Sequence, residues 1–220
     1  MIGALRAVLR RRSGRLVFLA LSLSFGASAR SFAACEPTDW YSELEKAKTA
    51  RALGQYDKAY GIADRVLSHD RSNLHARLIV ALVQLDQSRS PPHPRPSLKK
   101  TAIDSLAFTA SSLQDYAKLK DDRRCPENRD LYSVFNTLGV EYFKTGDATK
   151  SERAFLRGER NLAALAPEEQ SKLLFNLGVY YKSRLNLNKA IGYLQRAQKA
   201  NNPAAASQIE ALRGLQALAK

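Results

Sequence analysis

An eleven-residue stretch recurs, its spacing intact, 39 positions further along the chain. Tyr132–Tyr142 aligns with Ser171–Tyr181, so that Leu138-Gly139 meets Leu177-Gly178 and Tyr142 meets Tyr181. The register continues beyond the stretch, where Ser151 meets Ala190 and Phe155 meets Leu194. Self-similarity at a period of roughly 20–50 residues signals stacked supersecondary units. Within each copy, apolar residues recur every three or four positions, the period of a helix with one buried face. One such helix pair cannot bury its apolar faces alone, so neighbouring pairs must stack to make a core. The pattern predicts an all-α chain.

The same period runs through the rest of residues 40–220. Leu44, Ala47, Tyr56, Ala59, Ala63 and Val66 mark a first pair broken at Gly54. Helical runs follow over Leu74–Leu85 and Leu98–Lys120. Between them Ser88–Ser97 holds four prolines in six residues, which no helix interior accommodates, so an extended connection outside the core is expected. Further pairs cover Leu131–Lys144 with Thr149–Ala163, and Glu168–Ser183 with Asn188–Lys199. A final helix over Ala204–Ala219 is expected to turn Ile209, Leu212, Leu215 and Leu218 toward the stack as a cap.

Leu177, Gly178, Tyr181, Ala190, Leu194 and Ala197 fall at the spacing of the tetratricopeptide repeat (TPR), which this chain resembles over about 165 residues. Leu194 stands for the usual Phe, and Ser151 and Gly158 stand for two alanines in the earlier copy. Repeats are expected over 40–73, 74–120 (degenerate, with the Pro-rich insert 88–97), 132–165 and 171–204, with a cap at 204–219. The resemblance implies a helix–turn–helix solenoid whose first helices line a concave groove for a peptide or partner helix. Groove candidates are Asn136, Val140, Phe143 and Lys144, then Lys172, Phe175, Asn176, Val179 and Lys182. Asn176 stands where some TPR modules clamp a peptide's terminal carboxylate; hydrogen bonding to neighbouring backbone explains an Asn there equally simply.

Ahead of the repeats, Arg6, Arg10, Arg11, Arg12 and Arg15 precede ten uncharged residues, Leu16–Phe25, and then small residues. These are the three regions of a secretory signal peptide, here residues 1–33, with cleavage after Ala29 or Ala33. An uncleaved amphipathic or matrix-targeting presequence is the alternative. The apolar run falls short of the roughly 20 residues of a membrane span. The net charge of +14 would fall to +9 or +8 after cleavage. Phe32-Ala33-Ala34-Cys35 resembles a bacterial lipobox, with Phe32 a departure from its usual Leu. Cys35 is therefore open to lipidation, to a disulfide with Cys125 in an oxidising compartment, or to remaining a thiol.

The sequence carries no catalytic constellation: no G-x-S-x-G, H-E-x-x-H or glycine-rich phosphate loop. His69, Asp70 and His75 read as a polar turn, and no metal or cofactor is expected. The expected role is a non-enzymatic scaffold or adaptor of the bacterial periplasm or envelope, resembling small TPR proteins of secretion, pilus or envelope assembly. Its partner would be a protein or peptide, acidic by complementarity to the mature charge, with no small-molecule substrate and membrane contact only through a lipidated Cys35. The alternative is a basic polyanion- or nucleic-acid-binding helical protein. It is disfavoured because the basic surplus is interspersed with acids and shows no stripe with aromatic interleaving.

Overall fold

The computed structural model describes residues 40–90, 94–119 and 129–218, with 114–119 and 129 described in backbone only. The expected signal peptide with its expected cleavage sites, and Cys35 and Cys125, lie outside these residues. The described chain contains nine α-helices and no strand: α1 Tyr41–Ala52, α2 Tyr56–His69, α3 Leu74–Gln87, α4 Ser97–Leu119, α5 Arg129–Lys144, α6 Ala148–Arg160, α7 Pro167–Ser183, α8 Leu187–Lys199 and α9 Ala205–Leu218. A 3₁₀ turn, Leu162–Ala164, joins α6 to α7. Sequential helices pack as pairs, and each pair leans on the next, giving a TPR-like array.

Close approach within the third and fourth pairs depends on Gly139 and Gly178. A Cβ on Gly139 would lie 2.4 Å from the Phe155 ring, and one on Gly178 would lie 2.6 Å from Leu194 Cγ. Ser151, standing for an alanine of the family pattern, is fully buried but donates its hydroxyl to Gly139 O at 2.8 Å, which offsets the cost of burying it.

Four helix ends share one backbone device. The amides of Gln55, Asp147, Asn186 and Asn202 reach back to the carbonyls of Ala50, Tyr142, Tyr181 and Ala197. The residue before each acceptor-seeking amide has positive φ: Gly54 (+73°), Gly146 (+81°), Leu185 (57°) and Asn201 (62°). This left-handed closure favours Gly and tolerates Asn, so Leu185 is the misfit.

Two apolar clusters meet on α3. Ala76, Ile79 and Val83 join the α1–α2 core around Leu44, Ala59 and Val66. Leu78, Ala81 and Leu85 join the larger core, which runs from α4 to α9.

Two expectations need correction. On α9, Ile209 and Leu212 are buried, but Leu215 and Leu218 are 51% and 86% exposed. The buried stripe follows Ala205, Ile209 and Leu212, and Leu215 and Leu218 fall about a quarter turn or more to one side of it. The proline-rich connection is also not detached at its ends. Ser88 is buried, Ser90 Oγ lies 3.2 Å from Tyr56 Oη, and Arg95 N donates to Gln87 O at 3.1 Å. α4 begins at Ser97, the last residue of the expected insert.

Candidate interaction groove

α5 and α7 lie side by side, each the first helix of its pair. Asn176 Nδ2 donates to Asn136 Oδ1 at 2.8 Å, which brings two of the groove candidates into direct contact. Val140, Phe175 and Val179 are half-buried, with Val140 and Phe175 resting on the larger core. Phe143 is 38% exposed and meets the Tyr180 ring edge-on, with centroids 6.1 Å apart. A polar floor thus runs between α5 and α7, bordered by apolar side chains that still reach solvent.

The three groove lysines are engaged rather than free. Lys172 Nζ lies 2.8 Å from Glu168 and 2.9 Å from Glu169, so two carboxylates on its own helix face it. The hydrogen bonds to Glu168 and then Glu169 hold its ammonium pKa above the usual lysine value. Lys182 Nζ donates to Gln208 Oε1 of α9 at 2.8 Å. Lys144 Nζ stands 3.4 Å from Glu141. The acids that face Lys172 were visible at i−4 and i−3 of the sequence, a spacing that pairs opposite charges on a helix.

Two features near the groove escape sequence reading. Glu141 is 1% exposed, and Arg89, Lys99 and Lys144 converge on it from the α3–α4 connection, α4 and α5. Its Oε2 has no hydrogen-bond partner among the described residues, and Lys99 Nζ stands 3.9 Å from it. Only the i,i+3 pair with Lys144 hinted at this cluster. The second feature is Lys48 of α1, which bonds Asp130 at the start of α5 as well as Glu45. Burial pulls its pKa down, yet the bonds to Asp130 and Glu45 outweigh this and leave it raised. α1 therefore reaches past α3 to α5, and the open part of the groove is the part between α5, α7 and α9.

Among the described residues no group of three His, Cys, Asp or Glu could hold a metal ion. His69 stacks on Trp40 at 5.2 Å, and Asp70 accepts from Ser72 N and Oγ at 2.9 and 2.6 Å, as a capped turn requires. The larger of two described clefts, about 440 Å³, lies away from the groove and is lined by turn residues around Leu185 and Gln216.

This geometry defines a TPR-like helical repeat array. The chain is similar to a solved structure from Pseudomonas aeruginosa, "Functional Characterization of Pseudomonas Aeruginosa pilF", with 17% identity, a TM-score of 0.57, and coverage of 80% of this chain and 68% of that one. A likeness at that identity speaks for the fold alone. No family model matches the chain, and no curated protein matches it.

Proposed function

We propose that this protein is a non-enzymatic scaffold of the bacterial periplasm or envelope that holds a peptide or helix of a protein partner between α5 and α7. The Asn136–Asn176 contact carries the reading: side-chain amides joined along a groove floor leave carbonyl and N–H groups placed to bond an extended backbone. Phe143, Phe175 and Val179 supply apolar contact beside them. Lys144, Lys172 and Lys182 supply charge toward an acidic partner, tempered by Glu168, Glu169 and Glu141. The signal-like start supports export, and the repeat fold, which resembles the solved pilF structure, supplies the stacked helix pairs that such a groove needs. No helix among the described residues is long and apolar enough to cross a membrane.

Partners crosslinked to the protein in envelope fractions provide the test. Lys172→Glu with Lys182→Glu should weaken the recovered partner by about 1–3 kcal/mol through lost attraction and new repulsion. Lys172 is half exposed and Lys182 borders α9, so the circular dichroism spectrum should persist. Unchanged binding of every partner would remove the groove as the working surface.

A further inference from the structure

α6 segregates its charges. At 100° per residue, Lys150, Arg153, Arg157 and Arg160 occupy one edge about 80° wide, while Glu152 and Glu159 occupy the other edge. Ser151, Ala154, Phe155 and Gly158 lie between the edges and face the core. The acidic edge is fully engaged by the next pair. Tyr181 Oη donates to Glu152 at 2.8 Å, Tyr193 Oη donates to Glu159 at 2.8 Å, and Arg196 also binds Glu159.

Among the described residues the basic edge is matched only in part. Lys150 pairs with Asp147, the cap of its own helix, at 3.0 Å. Arg157 donates to Ala110 O at 3.2 Å and lies 5.1 Å from the Phe135 ring centre. Arg153 and Arg160 are exposed and form no ion pair among the described residues. Burial first, then the charges of Arg160 and Arg153, lower the pKa of Arg157. Like charges held along one edge repel, and a counter-charge from outside relieves them.

Beside this edge runs a crevice of about 150 Å³, floored by Phe135 and Tyr142 of α5 and walled by Ala107 and Ala110 of α4. On α5 these floor residues lie about 100–160° round the helix from Asn136 and Val140, so the crevice is a different surface from the groove.

We propose that the basic edge of α6 and its crevice form a second docking surface, which takes an acidic amphipathic helix of a protein partner. Carboxylates recurring every three or four residues on that helix meet Lys150, Arg153 and Arg160. Apolar side chains next to them rest on the partly exposed Tyr142 and Ala107 at the mouth of the crevice. The spacing selects a helix: neighbours at i,i+3 and i,i+4 lie about 5–6 Å apart, matching the row on α6. An extended strand repeats its side chains every two residues, at roughly 6.6–6.8 Å, and falls out of step along the row. Nucleic acid fits less well, because the floor is narrow and apolar and the other edge of α6 carries two carboxylates.

The test compares three probes on the full chain at physiological ionic strength by fluorescence anisotropy. The first is a synthetic helical peptide with glutamates at every third and fourth position beside leucines, the second is its scrambled counterpart, and the third is a single-stranded oligonucleotide of equal charge. The patterned peptide should bind at least about tenfold more tightly than the scrambled one, and Arg153→Glu with Arg160→Glu should remove about tenfold or more of that affinity. Lys172→Glu with Lys182→Glu should leave it unchanged, which separates this surface from the groove. Equal binding of patterned and scrambled peptides overturns the proposal, as does an unaffected charge reversal. Tighter binding of the oligonucleotide also overturns it and makes the edge a nucleic-acid surface. Should the reversal unfold the chain, Arg153→Gln with Arg160→Gln replaces it, and a loss smaller than about threefold then overturns the proposal.

Discussion

The guanidinium of Arg89, in the connection after α3, closes on the carboxylate of Glu141, which α5 holds 1% exposed. One buried acid thereby ties the end of α3 and the first turn of α4 to the C-terminal end of α5. The two ways of breaking the pair are not equivalent. Removing the acid returns three part-exposed cations to water, whereas removing Arg89 leaves a desolvated charge with more distant partners. Arg89→Ala should cost about 3 kcal/mol. Glu141→Gln should cost about 1–2 kcal/mol. Urea unfolding of both variants checks the order, and the reverse order would mean that the carboxylate is well hydrated.

Leu185 carries a left-handed backbone at the turn where Gly54 and Gly146 serve the other pairs, and its side chain is 84% exposed. Little packing is lost by trimming it. Leu185→Gly should raise stability by about 1 kcal/mol by removing the Cβ clash of that conformation. An equal or lower urea midpoint would mean that the Leu185 side chain contributes contacts that offset the strain.

Gly178 should tolerate nothing larger. Its Cβ position lies 2.6 Å from Leu194 Cγ and 3.3 Å from Ala190 O, so a side chain meets backbone as well as a flexible group. Gly178→Leu should cost about 3 kcal/mol or more and lower helicity, since the α7–α8 pair must part. Full retention of the thermal midpoint would show that the pair is not in close contact.

Alkaline pH should loosen the α6–α8 contact. Burial first, then the bond to Glu159, pushes the Tyr193 phenol pKa up to about 12, and burial with the bond to Glu152 raises that of Tyr181 further. Both phenols stay protonated in the folded chain after the unfolded chain has begun to lose its protons near pH 10. Stability is therefore flat below about pH 10 and falls as pH rises through the folded values. Tyr181→Phe with Tyr193→Phe should flatten that fall. An unchanged alkaline slope in the double variant would place the titrating groups elsewhere.

The helix pairs were legible because a 3.6-residue period, a 39-residue self-match and glycines at close contacts are all local signals. The first turn was legible at Gly54, and the end of α7 at Ser183 was legible from its periodicity, although Leu185 gave no sign of the left-handed closure it carries. The α9 register was misread because four apolar positions at three-residue spacing drift around a helix, and only contact with α8 selects which of them is buried. The charges near the groove were hidden for a different reason. Whether a lysine is free depends on what lies across from it, and Gln208 for Lys182, Arg89 for Glu141 and Asp130 for Lys48 all come from other helices. The basic row on α6 was diluted in the sequence by Glu152 and Glu159, which the helix turns to its other edge.

α3 carries one apolar face into each of two cores, so the α1–α2 layer is attached to the remainder of the described array chiefly through a single helix. Unfolding then has a natural seam. α1 and α2 can open as one unit while α4–α9 keep their packing, but nothing can release α3 without exposing both cores at once. Amides of α3 should be among the last to exchange with deuterium, and those of α1 and α2 should exchange earlier and together. A protease acting on the native protein would accordingly strip the first pair as a block and stop at α3.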